Sequence, residues 1–111
     1  MNKIWEIVMW ESHSGKRPVE KWIKDLPHTH KRKIDKLFGL LEEFGPMLSL
    51  PHNKNLGGGL YELRDTSTGP GYRIYYGIHD THLVILLTAG DKTSQERDII
   101  TARKRLEDEE E

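Results

Sequence analysis

Three runs decide the fold of this chain: Leu56-Gly57-Gly58-Gly59-Leu60-Tyr61-Glu62-Leu63-Arg64, Gly71-Tyr72-Arg73-Ile74-Tyr75-Tyr76 and Leu83-Val84-Ile85-Leu86-Leu87. Each is a short aliphatic and aromatic stretch bounded by glycine, proline or polar turn residues, which is the signature of a strand. Thr66-Ser67-Thr68-Gly69-Pro70-Gly71 is turn chemistry, and His79-Asp80-Thr81 is a tighter turn. Strands are therefore predicted at about 60–65, 71–77 and 82–89, joined as an antiparallel meander. Leu83 to Leu87 is apolar at every position, so it is expected to be the most buried of them.

Upstream, Met47 to Gly59 reads as a loop, with Pro51 in it and three glycines that free the backbone to enter the sheet. Lys3 to Trp10 sets Ile4, Glu6 and Val8 against Trp5, Ile7 and Met9, a strand with apolar groups on both faces. It is expected to join the same sheet after a helical crossover. Pro18 suits the first turn of a helix, and Val19, Trp22, Ile23 and Leu26 form its apolar stripe before Pro27. A second helix is predicted from near Thr29, with the stripe Ile34, Leu37, Phe38, Leu41 and Phe44 and a stop at Gly45-Pro46. Downstream, a last helix starts at Thr93 or Ser94, where Thr93 and Glu96 fit a capping box. Ile99, Ala102, Arg103 and Leu106 give it a weak inner stripe. The expected architecture is α+β: a small, mostly antiparallel four-stranded sheet, an N-terminal α-hairpin on one face and a C-terminal helix.

A chain of 111 residues supports one core, so one domain is expected over 1–106. Residues 107–111 are five acids, expected to form a disordered tail. Without them the formal charge of −1 becomes about +4, with 17 bases against 13 acids, a balance compatible with a nucleic-acid partner. There is no cysteine, hence neither a disulfide framework nor a thiolate zinc site. The six histidines show no metal-ligand spacing, so neither a metal nor a cofactor is expected. No stretch reads as a signal peptide or a membrane span, so the expected location is cytoplasmic.

Side chains alternate along a strand. If the helices pack on Tyr61, Leu63, Tyr72, Ile74 and Tyr76, then Glu62, Arg64, Arg73 and Tyr75 are left on the open face. Two arginines at one phase of neighbouring strands make a cationic surface suited to phosphate. The plainer reading is an ion pair of Glu62 with Arg73 or Arg64, worth about 0.2–1 kcal/mol on an exposed surface. Lys92 sits in Gly90-Asp91-Lys92, between the buried strand and a helix N-terminus, where backbone N–H groups already favour an anion. Lys31, Arg32 and Lys33 add cations at the start of the second helix.

The runs from Leu56 to Ala102, with Pro18-Val19-Glu20-Lys21-Trp22-Ile23 upstream, resemble the RelE/HigB/ParE toxin superfamily, most closely its addiction-module killer (HigB/RelE-like) group. The resemblance covers nearly the whole chain except the acidic end. It implies a RelE-like fold and the toxin of a type II toxin–antitoxin system, silenced by a cognate antitoxin, a small helix-turn-helix protein. It also implies a ribosome-dependent mRNA endoribonuclease that needs no metal, in which the RNA 2′-OH attacks its own phosphate. By position, Arg73 matches the phosphate-stabilising residue, with Arg64 and Lys92 in support and Glu62 as a proton acceptor. Lys54 matches a loop cation; Lys31, Arg32, Lys33, Tyr75 and Gln95 are the further RNA-binding candidates. Several members carry a tyrosine or histidine near the C-terminus, and residues 90–111 hold neither. ParE-like members share the fold and inhibit DNA gyrase by binding, without chemistry, which is the alternative reading.

Overall fold

The computed structural model describes residues 4–49 and 51–110, with Glu110 described by its backbone alone. Lys3 and Glu111, named above in the first strand and the tail, lie outside these residues. In chain order the elements are β1 (Glu6–Met9), α1 (Pro18–Lys24), α2 (His28–Phe44), β2 (Asn53–Gly57), β3 (Leu60–Arg64), β4 (Arg73–His79), β5 (Leu83–Gly90) and α3 (Gln95–Glu110). Short 3₁₀ turns, Gly45–Met47 and Lys92–Ser94, follow α2 and precede α3.

The sheet has five strands in the order β1-β5-β4-β3-β2. The β3–β4–β5 meander is antiparallel as expected, and β1 returns parallel to β5. The fifth strand, β2, falls in the segment expected to be a loop. Asn53-Lys54-Asn55 lacks the apolar alternation that marks a strand, because this edge strand is largely exposed. The glycine run makes its turn into β3: Gly57, Gly58 and Gly59 all have positive φ, which a side chain would resist.

One face of the sheet carries α1 and α2. Val19, Ile34, Leu37 and Leu41 pack there on Leu63, Tyr72, Ile74, Tyr76, Val84 and Leu86. Pro18 does open α1, while Phe44, expected in the buried stripe of α2, is 45% exposed. Gly45 ends α2 at φ 56°, and a Cβ on it would run into the Trp5 ring.

The other face carries α3. Ala102 and Leu106 cover Leu60, Tyr75, Ile85 and Leu87, with Val8, Trp10 and Ile99 at the margin. Layers of helix therefore lie on both sides of the sheet, which is why β1 is apolar on both faces. The start of α3 is set by Asp91, whose carboxylate accepts from the Thr93 N–H at 2.9 Å, rather than by a Thr93–Glu96 capping box. The helix runs on to Glu110, so residues 107–110, expected in a disordered tail, continue α3. Among the described residues no helix is long and apolar enough to cross a membrane.

Candidate functional site

Glu62 is the hinge of the site. It sits in the middle of β3 on the α3 side of the sheet and is fully buried. The expectation that Glu62 and Tyr75 lie on an open face is therefore corrected. Neither has exposed surface, because α3 and the turn before it close over them. A buried carboxylate needs partners or it costs several kcal/mol. Glu62 has three. Its Oε1 accepts from Arg64 Nε at 2.5 Å, its Oε2 accepts from Gln95 Nε2 at 2.8 Å, and Arg73 Nε stands 3.6 Å from the same Oε2.

This geometry resolves a conflict built into the sheet. Arg64 and Arg73 are direct partners in the β3–β4 register, and like charges placed opposite each other repel. Glu62, two residues before Arg64 on the same face, offsets that repulsion. The plainer expectation named one ion pair, and the structure forms both. Both arginines turn their Nε edge toward Glu62. Their side chains remain 28% and 17% exposed. Arg73 is further oriented by Nη1 donating to the Gly71 carbonyl at 2.9 Å.

Lys92 joins this pair. It is exposed, and among the described residues it makes no hydrogen bond or ion pair. A Cβ built on Gly71 would lie 3.4 Å from both Arg73 Nη1 and Lys92 Cδ, so the lysine stem runs beside the guanidinium. Gly71 holds φ 66°, and it keeps this corner open for the two cations. Lys54 stands opposite Glu62 in the β2–β3 register, exposed and on the same face. Asp91 beside Lys92 is turned into its own turn, and its hydrogen bonds to Thr93 hold its pKa below the usual range.

Other expected site residues go elsewhere. Tyr75 is wholly buried and offers no ring for a base to stack on. Burial, reinforced by the Glu62 charge, pushes its phenol well above its ordinary pKa, so it stays neutral. Gln95 is spent on Glu62 rather than presented to a ligand. Lys31, Arg32 and Lys33 lie on α2, across the sheet from Glu62, and Lys33 Nζ donates to the Ser67 carbonyl at 3.2 Å. Sequence reasoning missed Asp98 and His52. Asp98 is buried and accepts from Ser94 Oγ at 2.5 Å, which steadies the first turn of α3. Its position three residues after Gln95 was the available signal. Among the described residues no group of three histidine or acidic side chains could hold a metal ion.

A fixed carboxylate with two oriented guanidinium groups and a free ammonium makes an anion cradle. The planar edge of arginine suits phosphate oxygens. The residues of this cradle all fall within a segment matched by a family model. The family described as Phage derived protein Gp49-like (DUF891) matches residues 21–107. An uncharacterized protein of Haemophilus influenzae is 44% identical over 50 residues, which is 45% of this chain. The chain spans half the length of that relative. The match over 21–107 covers most of the chain, which belongs to the phage-derived Gp49-like family, a family of RelE-like toxins.

Proposed function

We propose that this protein is the toxin of a type II toxin–antitoxin pair and acts as a ribosome-dependent mRNA endoribonuclease. The observation that carries the reading is the pair of arginines held by their Nε edges on one buried carboxylate, with Lys92 free beside them. In the reaction the RNA 2′-OH gives its proton to water and forms a bond to the adjacent phosphorus as the bond to the 5′ oxygen breaks, and that oxygen takes up a proton. The products are a 2′,3′-cyclic phosphate and a 5′-OH. Negative charge grows on the phosphorane oxygens, and fixed cations stabilise it without reorganising. Arg73 and Arg64 supply that charge. Lys92 stands where it can donate to the leaving oxygen.

Glu62 takes a different part from the proton acceptor implied by the resemblance. Neither of its oxygens faces solvent and both are engaged, so it acts as the positioning residue for the arginines. The partner that silences the protein is a cognate antitoxin, for which the exposed cations call for an acidic segment.

One observation favours the second reading, gyrase inhibition by binding. Residues 90–111 hold neither tyrosine nor histidine, and Glu62, the carboxylate between the two arginines, is fully buried. Induction followed by primer extension on cellular mRNA separates the two. New mRNA ends, with protein synthesis falling before DNA synthesis, are expected. Intact messages with DNA breaks and an early fall in DNA synthesis would overturn the nuclease.

A further inference from the structure

Outside this site lies a pocket of about 360 Å³ between α2 and the β3–β4 loop. Its floor is Leu37 and Leu40, and its rim is Lys33, Lys36, His52 and Ser67. Buried His52 Nδ1 has no hydrogen-bond partner among the described residues. Few buried polar atoms in folded proteins are left so, and because His52 lines the pocket, a turn of its ring would bring this nitrogen to the pocket wall. Lys36 is exposed and makes no hydrogen bond or ion pair among the described residues. The wall opposite α2 is stiff. Asp65 Oδ1 accepts from the Ser67 N–H at 3.0 Å and the Ser67 hydroxyl at 2.7 Å, and Oδ2 accepts from Thr68 Oγ1. Burial works against the Asp65 carboxylate, yet these bonds outweigh it and hold its pKa below the ordinary range. Asp65 is thus an anion occupied with its own loop, and the ammonium groups of Lys33 and Lys36 dominate the mouth.

We propose that this pocket takes one nucleotide of an RNA strand, its base lying on Leu37 and Leu40 and its phosphate on Lys33 and Lys36. Proteins hold unpaired nucleotides on a flat side-chain platform, most often aromatic, beside cations that meet the phosphate; here the two leucines supply the platform. The His52 Nδ1 meets the base edge. A bare phosphate would leave that nitrogen and the leucine floor unused. The pocket adjoins the arginine pair along the backbone. Asp65 follows Arg64, and the Arg64 N–H donates to the His52 carbonyl at 2.7 Å. A strand bound at Arg64 and Arg73 therefore reaches the pocket by rounding the end of β3. The inference deepens the RNA reading above and rests on it.

The test is titration of the ¹⁵N-labelled protein with the four nucleoside 5′-monophosphates, with inorganic phosphate as the comparison probe. Saturable shifts are expected at His52, Ser67 and Lys36 for the nucleotides and weaker ones for phosphate. Lys36→Ala and His52→Ala should each weaken nucleotide binding about five-fold, the factor one lost hydrogen bond is worth. Lys36 is exposed, so Lys36→Ala should leave the melting temperature in place. Equal shifts from phosphate and nucleotides, or nucleotide shifts confined to Arg64, Arg73 and Lys92, would overturn the proposal. The titration involves no cleavage. Nucleotides bound here by a protein that cuts no mRNA would overturn the nuclease and keep the pocket; the converse would overturn the pocket alone.

Discussion

The two faces of the sheet solve the same burial problem in different ways. The α1–α2 face is apolar along its centre, with Leu63, Ile74, Val84 and Leu86 under Val19, Ile34 and Leu41. Two pairs of its polar groups meet on the spot: the Tyr76 hydroxyl donates to Asn53 Oδ1 at 2.5 Å, and Tyr72 Oη lies 2.7 Å from His30 Nδ1. The α3 face is divided. Its far end is apolar, with Leu106 and Ala102 over Leu60, Tyr75 and Leu87. Its near end replaces hydrocarbon with Glu62 and two arginines. Two of the three buried polar atoms without a hydrogen-bond partner among the described residues lie toward that end: Arg73 Nε, which has only its ion pair with Glu62, and the hydroxyl tip of Tyr75, which feels the Glu62 charge. A face that only had to be stable would be filled as the first one is. Replacing buried ion pairs with apolar groups is often neutral or stabilising. The contrast teaches that one face is built chiefly by apolar burial, while the near end of the other keeps charged groups that burial alone does not require.

The sharpest test of that contrast removes the carboxylate. Glu62→Ala leaves two facing arginines without their counter-charge and should cost about 3–5 kcal/mol of stability, the range for breaking a buried pair. Leu41→Ala on the other face should cost about 2–5 kcal/mol through its cavity, with any loss of cleavage following from unfolding alone. Urea unfolding of both variants compares them. If Glu62→Ala proves nearly neutral, the polar end is not held by its carboxylate and the division of the face fails.

Arg73→Ala should separate function from fold. About 2–4 kcal/mol of transition-state stabilisation is expected to go, a factor of roughly 30 to 10³ in cleavage rate. Some stability goes with it, since Arg73 faces Glu62. Cleavage at the normal rate by a folded Arg73→Ala protein would reduce the arginine to an ion-pair partner. Gly77→Ala probes the apolar end. The new Cβ would come 2.5 Å from Leu106 Cδ1, so the Leu106 side chain, or α3 with it, must shift, at about 1–3 kcal/mol. A melting temperature equal to that of the parent would show that α3 is loosely seated.

Acid titration gives a smaller effect. The Asp65 carboxyl has a folded pKa below its unfolded 3.8. Its share of stability is therefore complete above about pH 4 and is lost as pH falls through the lower folded value. Asp65→Asn should flatten that part of the stability–pH curve, and an unchanged curve would show that the loop is not anchored there. Lys92→Ala should be the mildest for the fold, within about 0.5 kcal/mol, as befits an exposed side chain. It should still slow cleavage, and a rate equal to that of the parent would remove Lys92 from the site.

The sequence by itself determined the elements whose pattern is local. The alternation in Tyr61 to Arg64 and Tyr72 to Tyr76 set strand phase. The apolar run from Leu83 set the buried strand, and the stripes from Val19 and Ile34 set the two helices. Phase alone put Glu62, Arg64 and Arg73 on one face, as the register confirms. Only the tertiary structure decided what covers that face. Gln95 meets Glu62 across 33 residues of chain, and no periodicity records such a contact. A weak inner stripe in α3 gave no sign that it would bury Tyr75 and the carboxylate. The edge strand β2 was equally hidden, because its backbone pairs with β3 while Lys54 and Asn55 stay in water. Strand phase follows from the geometry of neighbouring residues, whereas burial depends on which distant segment comes to rest on top.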